Sequence, residues 1–344
     1  EPSRSAAIEN LKNFLNNGLL NYSKLRNFDF GPEERTNISC LSPYISHGVI
    51  SELELIDGTL KKNSFFKNEK FIQEILWRVY WKGWLELRPK VWSDFIVDLI
   101  RLKQEYSENK KYLEAIEGKT KIACFNEWVS ELKNYNYLHN HTRMWFASIW
   151  IFTLGLPWQL GAEFFMKYLF DGDSASNTLG WRWVAGIQTK GKNYIASEWN
   201  IKKFTNNKFN EIKLNEKPIS IVDERNYPIV NNGFQNASLS NNKDLLIFDN
   251  NISFEKSDFH HESFKKIYFV FNGNNTRKIK LNEKVLEFKK SLINNQIENL
   301  KNKSLDCKLI DIQDLKDRKE DLLALYPCVG ENLDYIKLNG NKNI

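Results

Sequence analysis

Up to about residue 210, apolar positions recur mostly three and four apart, the period of an amphipathic helix. Ser3 to Leu15 carries Ala6, Ile8, Leu11, Phe14 and Leu15 on that period. Ser42-Pro43 predicts a further helix start, with Ser42 as N-cap and Pro43 in the first turn. Asn68–Leu87 predicts a long helix and Ile122–Leu132 a shorter one; His139–Leu154, Ala162–Phe170 and a stretch from Asp173 to Ala185 follow. Residues 207–243 are rich in Asn with scattered Pro, Ser and Gly, which predicts an extended connection. Beyond it, continuous apolar runs replace the helical period. Leu245–Phe248, Ile267–Phe271, Leu309–Ile312 and Leu333–Leu338 read as short strands, and Leu281–Leu300 as an amphipathic helix. Strands alternating with helices imply a small α/β layer. The predicted fold is therefore mainly α: a helical domain over 1–210, a linker over 211–243 and a small α/β region over 244–344.

Composition sharpens this picture only in places. With 42% hydrophobic residues among 344, the chain can bury a large core or two. Eleven Trp, 13 Tyr and 23 Phe suit a packed helical core, and equally a site for a flat cofactor or stacked bases. A net charge of +6 suits an anionic partner such as nucleic acid, although an Asn/Lys/Ile-rich composition alone accounts for it. Cys40, Cys124, Cys307 and Cys328 form no C-x-x-C pair and no structural-metal spacing, so a reduced, cytoplasmic chain without a metal is expected. Met144–Ala162 is uncharged and of membrane length, but Gly155-Leu156-Pro157 interrupts it. A buried helix followed by a turn fits better than a membrane span. Nothing requires more than a monomer.

Three segments combine groups that carry chemistry. Glu74, Trp77, Arg78 and Trp81 fall at i, i+3, i+4 and i+7 and share one helix face. A salt-bridged surface stripe is the plain account of them. Asp171-Gly172-Asp173 leads into a helix that Asp173 can cap, and steps of four from Asp173 reach Asn177 and Trp181. A carboxylate and a carboxamide beside indoles suit a heterocycle with alternating donors and acceptors. In Tyr137-Leu138-His139-Asn140-His141-Thr142-Arg143-Met144, the two His at i, i+2 do not share a face, which argues against zinc.

Together these segments resemble the FAD-binding domain of the DNA photolyase/cryptochrome family. Tyr22-x-x-x-Arg26 with Ser39-Cys40-Leu41-Ser42-Pro43-Tyr44 resembles its phosphate-side segment, and Glu74-Ile75-Leu76-Trp77-Arg78 its Glu-Leu-Ile-Trp-Arg helix. Gly118-Lys119-Thr120, Leu138-His139-Asn140-x-x-Arg143-Met144 and Asp171-Gly172-Asp173-x-Ala175-x-Asn177-x-x-Gly180-Trp181-x-Trp183 follow in the family's order. The resemblance covers residues 5–210 and implies an all-helical domain holding FAD, active in its reduced form. It implies that Tyr22, Ser39, Leu41 and Ser42 approach the FAD phosphates and that Arg143 and Asp171 pair beside the isoalloxazine. It further implies that Asp173 accepts from the ring imide and that Asn177 sits by N5. Trp77 and Trp183 would flank a flipped-out pyrimidine dimer, while Glu74, Asn140 and Met144 contact its bases. Glu74, Arg78 and Asn140 count among the cofactor-binding residues as well. Trp181 and Trp158 match the first two members of the family's electron-transfer chain.

The function implied is light-dependent repair of cyclobutane pyrimidine dimers in UV-damaged DNA, the dimer being extruded into the flavin pocket. Photolyases for the (6-4) lesion place His at both the Asn140 and Met144 positions, which favours the cyclobutane substrate. A cryptochrome-like photoreceptor without repair is the alternative. The sequence departs from the family in four respects. Cys40 replaces a phosphate-side Arg, and His141 replaces an Arg that touches the DNA backbone. The third Trp of the electron chain has no counterpart, so Tyr106 becomes its candidate end. The helical domain starts within ten residues of the first, so an N-terminal antenna domain is expected to be missing and no second chromophore is predicted. DNA phosphates are expected at a basic rim of Arg182, Lys190, Lys192, Lys202 and Lys203.

Overall fold

The computed structural model describes residues 1–217, 221–231, 243–253, 264–318 and 322–339. Its helical part runs α1 (Arg4–Asn17), α2 (Tyr22–Leu25), α3 (Ser42–Ile45), α4 (Glu52–Lys62), α5 (Phe65–Glu86), α6 (Lys90–Glu105), α7 (Lys110–Glu117), α8 (Ala123–Tyr135), α9 (Asn140–Ser148), α10 (Trp158–Tyr168), α11 (Ser174–Val184) and α12 (Glu198–Phe204). Side-chain caps fix several starts. Ser3 accepts the Ala6 amide at α1, and Ser51 and Glu54 close a reciprocal capping box at α4. Asp173 caps α11 as its sequence position implies, accepting from the Ala175 and Ser176 amides. Ser42 does not cap α3: Leu41 takes that place, and the Ser42 hydroxyl donates to Asp171 instead. Ser42 is the first residue inside α3 and not the residue before it, so its hydroxyl does not stand where a capping oxygen accepts from the first-turn amides.

The uncharged run from Met144 to Ala162 folds back on itself. A π-helical turn (Ile149–Thr153) follows α9, and Gly155 at φ +68° with Pro157 turns the chain into α10. Among the described residues no helix is long and apolar enough to cross a membrane.

A four-stranded parallel sheet follows: β1 (Asp244–Phe248), β2 (Ile267–Phe271), β3 (Cys307–Asp311) and β4 (Leu322–Ala324), in the order β3-β2-β1-β4. Leu245 and Ile247 face one side and Leu246 and Phe248 the other, so β1 is buried on both faces and reads as an unbroken apolar run. Helix α13 (Glu283–Lys301) makes the crossover from β2 to β3. The expected strand over Leu333–Leu338 is instead a helix, α14 (Glu331–Asn339). Leu333 and Tyr335 alternate like a strand. Leu333 and Ile336 are also one helical step apart, and Glu331, Asp334 and Lys337 match the helix dipole. On one face the sheet shares its core between Leu292, Ile293 and Ile297 of α13 and the helical part. Leu245, Ile247, Ile267 and Phe269 pack in one cluster with Ala7, Leu11, Phe14 and Phe71 of the helical part.

His47 is buried where the two parts meet, its ring nitrogens 2.9 Å from the carbonyl oxygens of Asp249 and Phe170. Burial, with Lys289 beside it, lowers its pKa from 6.5 to about 4, against the opposing pull of Asp249. Because the folded value lies below the ordinary one, the unfolded chain binds more protons between them. His47 therefore adds stability that is complete above pH 6.5 and drains as pH falls toward about 4. We expect the melting temperature to decline across that window, and His47→Gln to flatten the decline. Calorimetry at stepped pH checks this, and an unchanged slope in the variant would remove His47 from the account.

Candidate active site

Helices α5, α9 and α11 and the turn before α11 enclose a cavity of about 400 Å³. That volume lies within the range of small-molecule and cofactor sites. Helix α5 contributes Glu74, Trp77, Arg78 and Trp81; α9 contributes Asn140, Arg143 and Met144; α11 contributes Asn177, Gly180, Trp181 and Trp183. Tyr22, Ser39, Ser42, Asp171 and Asp173 complete the wall. Of the residues expected to hold a cofactor, only Leu41 is absent from the lining; it is fully buried behind it.

Ion pairs fix the polar side. Arg143 Nη2 lies 2.9 Å from Asp171 Oδ2, which also accepts the Ser42 hydroxyl, while Arg143 Nε donates to the Leu138 carbonyl. The ring of Tyr137 lies beneath Arg143 at 5.1 Å and beneath Arg35 at 4.7 Å, a cation–π arrangement that supports both guanidinium groups. Arg78 Nη1 donates to Asp173 Oδ2 over 2.8 Å. Burial works to raise the Asp173 carboxyl, but Arg78, Lys82 and the Ser176 amide outweigh it and hold the group below the usual carboxylate range. Asp173 is thus ionised and accepts three bonds from the protein, from Ala175, Ser176 and Arg78. A carboxylate has about four acceptor positions, so one is left for a donor in the cavity. Asn177 donates to the Ala162 carbonyl at 2.8 Å, which fixes the orientation of its carboxamide. Glu74 pairs with Arg26, the residue that ends α2.

The aromatic side is stacked and partly open. Trp77, half exposed, lies 5.6 Å from Trp81 at an interplanar angle of 27°. Trp183 of the lining stacks on Tyr194 at 5.9 Å. Trp181 forms the inner wall and touches Phe165, Trp150 and Phe146. Trp158 lies outside the wall, stacked on Phe95 at 5.4 Å, and Tyr106 packs partly buried at the end of α6.

Several lining groups wait for a partner. Arg78 Nη2, Asp171 Oδ1 and Trp181 Nε1 are buried and, among the described residues, have no hydrogen-bond partner. Buried polar atoms without partners are costly, so this lining suits a ligand that carries both donors and acceptors. A Cβ at Gly180 would meet nothing within 4 Å, which leaves the α11 backbone open toward the cavity. Apolar walls, a free carboxylate position and unpaired donors fit a flavin.

Residues 71–216 match the family model described as the FAD-binding domain of DNA photolyase. Over this stretch the chain is similar to the FAD-binding domain of the DNA photolyases. It is 28% identical over 191 residues to the deoxyribodipyrimidine photo-lyase of Vibrio cholerae, covering 54% of this chain and 40% of that protein. The Streptomyces griseus deoxyribodipyrimidine photo-lyase is 32% identical over 152 residues, covering 44% and 32%. Among solved structures, a class III photolyase from Agrobacterium tumefaciens superposes with a TM-score of 0.51 at 25% identity, covering 59% of this chain and 43% of that one. A Synechocystis cryptochrome shares the fold at 20% identity and a TM-score of 0.50, with the same coverage. The chain spans about two fifths of the length of the curated photolyases it matches first.

Two expected DNA contacts of this photolyase-type domain turn inward. His141 stacks on Trp145 at 4.2 Å, and its ring nitrogens face the Asn27 carbonyl and the Tyr194 hydroxyl. Arg182 is buried in an ion pair with Asp223 at 3.1 Å, its guanidinium between the rings of Trp158 and Tyr227. Neither offers a surface to a phosphate. The linker segment 221–231 returns over α11 and supplies Asp223, which the local sequence around Arg182 cannot reveal. Lys190 and Lys192 are exposed, as are Lys202 and Lys203, whose neighbour Trp199 underlies Lys203 at 5.0 Å. Sequence reasoning missed Arg26 as the partner of Glu74 and Phe165 as part of the wall. The Tyr22-x-x-x-Arg26 spacing held a signal for the first, since Tyr22 and Glu74 line the same cavity.

Proposed function

We propose that the chain repairs cyclobutane pyrimidine dimers in DNA by a light-driven reaction with FAD in this cavity. The observation that carries the proposal is the pairing of opposite characters around one space. The fixed carboxylate and carboxamide of Asp173 and Asn177 share its lining with the indoles of Trp77 and Trp183 and with Glu74, Asn140 and Met144. Arg78, Asp171, Asp173 and Asn177 would hold the flavin, and Tyr22, Ser39 and Ser42 its phosphate side. FAD, when bound in its reduced form, supplies on excitation the electron that opens the cyclobutane ring, and takes it back.

The chain's own residues bind and orient. Trp77 and Trp183 present indole faces on which an extruded dimer can stack, which favours a lesion already poorly stacked in its strand. Glu74, held by Arg26, accepts a hydrogen bond from a base, and the Asn140 carboxamide can donate or accept. Met144 adds a soft apolar contact. Asn and Met at these two positions supply no acid–base group of the kind (6-4) repair requires. Lys190 and Lys192 would meet backbone phosphates beside the mouth.

The test is blue-light repair, in anaerobic reducing buffer, of an oligonucleotide with one cyclobutane dimer, beside a (6-4) oligonucleotide and a dark control. Loss of the dimer in light only is expected, with the (6-4) lesion untouched. Glu74→Ala should slow repair roughly tenfold or more, the worth of one charge-assisted hydrogen bond. No repair by a fully flavin-loaded chain would overturn the proposal in favour of a light-responsive flavoprotein.

A further inference from the structure

In open parallel sheets, ligands bind outside the carboxyl ends of the strands where the strand order reverses. Here β1 is flanked by β2 and β4, so the reversal lies between β1 and β4. What fills that crevice is the protein itself. The turn from Phe170 to Ser174, which carries Asp171 and Asp173 of the cavity wall, sits against the segments that follow β1 and β4. A space of only about 60 Å³ is left, lined by Gly172, Asp173 and Ser174 on one side and by Asp249, Val329 and Gly330 on the other.

The turn is gripped at both ends from the sheet side. The Ser174 hydroxyl donates to the Val329 carbonyl. At the other end, the His47 ring stands between the carbonyl oxygens of Phe170 and Asp249, 2.9 Å from each, and as a neutral imidazole donates to one of them. Gly330 lies against Ser174 at φ +150°, where a Cβ would stand 2.9 Å from Ser174 Oγ and 3.2 Å from its Cβ. The sheet edge is in turn rigid. Asp249 is buried between Lys289 Nζ at 3.0 Å and Asn332 Nδ2 at 2.7 Å. Glu86 of α5 accepts the Val329 amide at 2.7 Å and the Tyr326 hydroxyl at 2.6 Å. The segment after β4 is thereby tied to the helix that also carries Trp77 and Arg78.

We propose that the carboxyl edge of the C-terminal sheet is part of the flavin site, with Val329, Gly330 and His47 acting as positioning residues that fix the Asp171–Ser174 turn. The proposal rests on the reading that the adjoining cavity holds FAD. No residue of the sheet edge lines the cavity. It acts through the turn, by setting where the Asp171 and Asp173 carboxylates stand relative to Arg143 and Arg78. A shift of the turn would change both the affinity for flavin and the electrostatic field at its ring.

The experiment is equilibrium FAD binding in the dark to the full chain, read by the visible absorption band of the bound flavin and its reduction potential. Thermal melting of each chain runs alongside. Ser174→Ala, which deletes only the hydroxyl bond, should weaken FAD roughly threefold to tenfold. Gly330→Val, which drives a side chain into Ser174, should weaken it at least about tenfold and shift the flavin band. Gly273→Ala, at the same sheet edge with ordinary contact of 3.6 Å to Phe271, should leave binding and spectrum unchanged. A Ser174→Ala chain that melts normally and matches the parent in affinity, band and potential would overturn the proposal, whether or not Gly330→Val folds. A parent chain that takes up no flavin would overturn the underlying reading and this proposal with it. A parent that binds FAD but repairs nothing would leave the positioning result standing.

Discussion

Replacing Asp171 with alanine should cost about 3 kcal/mol of stability and most of the flavin affinity together. The Asp171 side chain is 3% exposed and receives both Arg143 Nη2 and the Ser42 hydroxyl. Among the described residues, removing it leaves a largely buried guanidinium with the Leu138 carbonyl and the Tyr137 ring, and an orphaned hydroxyl at the head of α3. Breaking a buried pair from one side is costly because the surviving charge keeps its desolvation penalty. The same residue belongs to the turn that bears Asp173, so the cavity wall loosens as well. Asp171→Asn should lose less, since the carboxamide oxygen can still accept one bond. Urea unfolding with flavin content measured on the same samples checks both, and an Asp171→Ala chain with parental stability and flavin uptake would contradict the account.

The second large effect is steric. A Cβ built on Gly161 would stand 2.2 Å from Trp181 Cη2 and 2.4 Å from Cζ3. The indole lies against the backbone of α10, so only glycine lets the two meet. Gly161→Ala must push Trp181 off the cavity wall or push α10 away from α11. Overpacking of this kind costs about 1–3 kcal/mol, and flavin uptake should fall with it because Trp181 lines the cavity. Gly83→Ala is the control: it is also a helix-interior glycine, but its Cβ would meet nothing within 4 Å. There the better helix propensity of alanine should raise stability by about 0.5–1 kcal/mol. Paired thermal melts decide it, and a Gly161→Ala chain as stable as its parent would show that Trp181 can move freely.

Much of the helical part was legible because its signals are local. Periodicity marked α1, α5 and α8, and the Asp173 cap with its steps of four marked α11, since capping and amphipathicity act within one or two turns. The helices α4, α6, α7 and α12 escaped the pattern. α6 nonetheless buries Val91, Trp92, Phe95, Ile96, Leu99 and Leu102 on a regular helical period. α14 was misread as a strand because Leu333, Tyr335 and Ile336 satisfy both periods over so short a stretch. The expectation that the C-terminal region forms an α/β layer is met by the parallel sheet, while β4, three residues long, offered too little pattern to notice.

The site divides along the same line. Sequence alone identified which residue types stand together on α5, α9 and α11, because each group sits within one helix and spacing fixes its face. Spacing grouped Glu74 with Trp77 and Arg78, and Asp173 with Asn177, while the family resemblance added Asn140, Arg143 and Trp183; all of them line one cavity. Charge pairing across elements was beyond its reach. Arg26 with Glu74, Arg78 with Asp173 and Arg182 with Asp223 join residues 41 to 95 positions apart, and a basic side chain in sequence looks the same whether it ends in solvent or in an ion pair. Only the tertiary structure turned His141 and Arg182 inward and set the C-terminal sheet edge against the Asp171–Ser174 turn, because burial and long-range partners depend on how distant segments pack and not on the residues beside them.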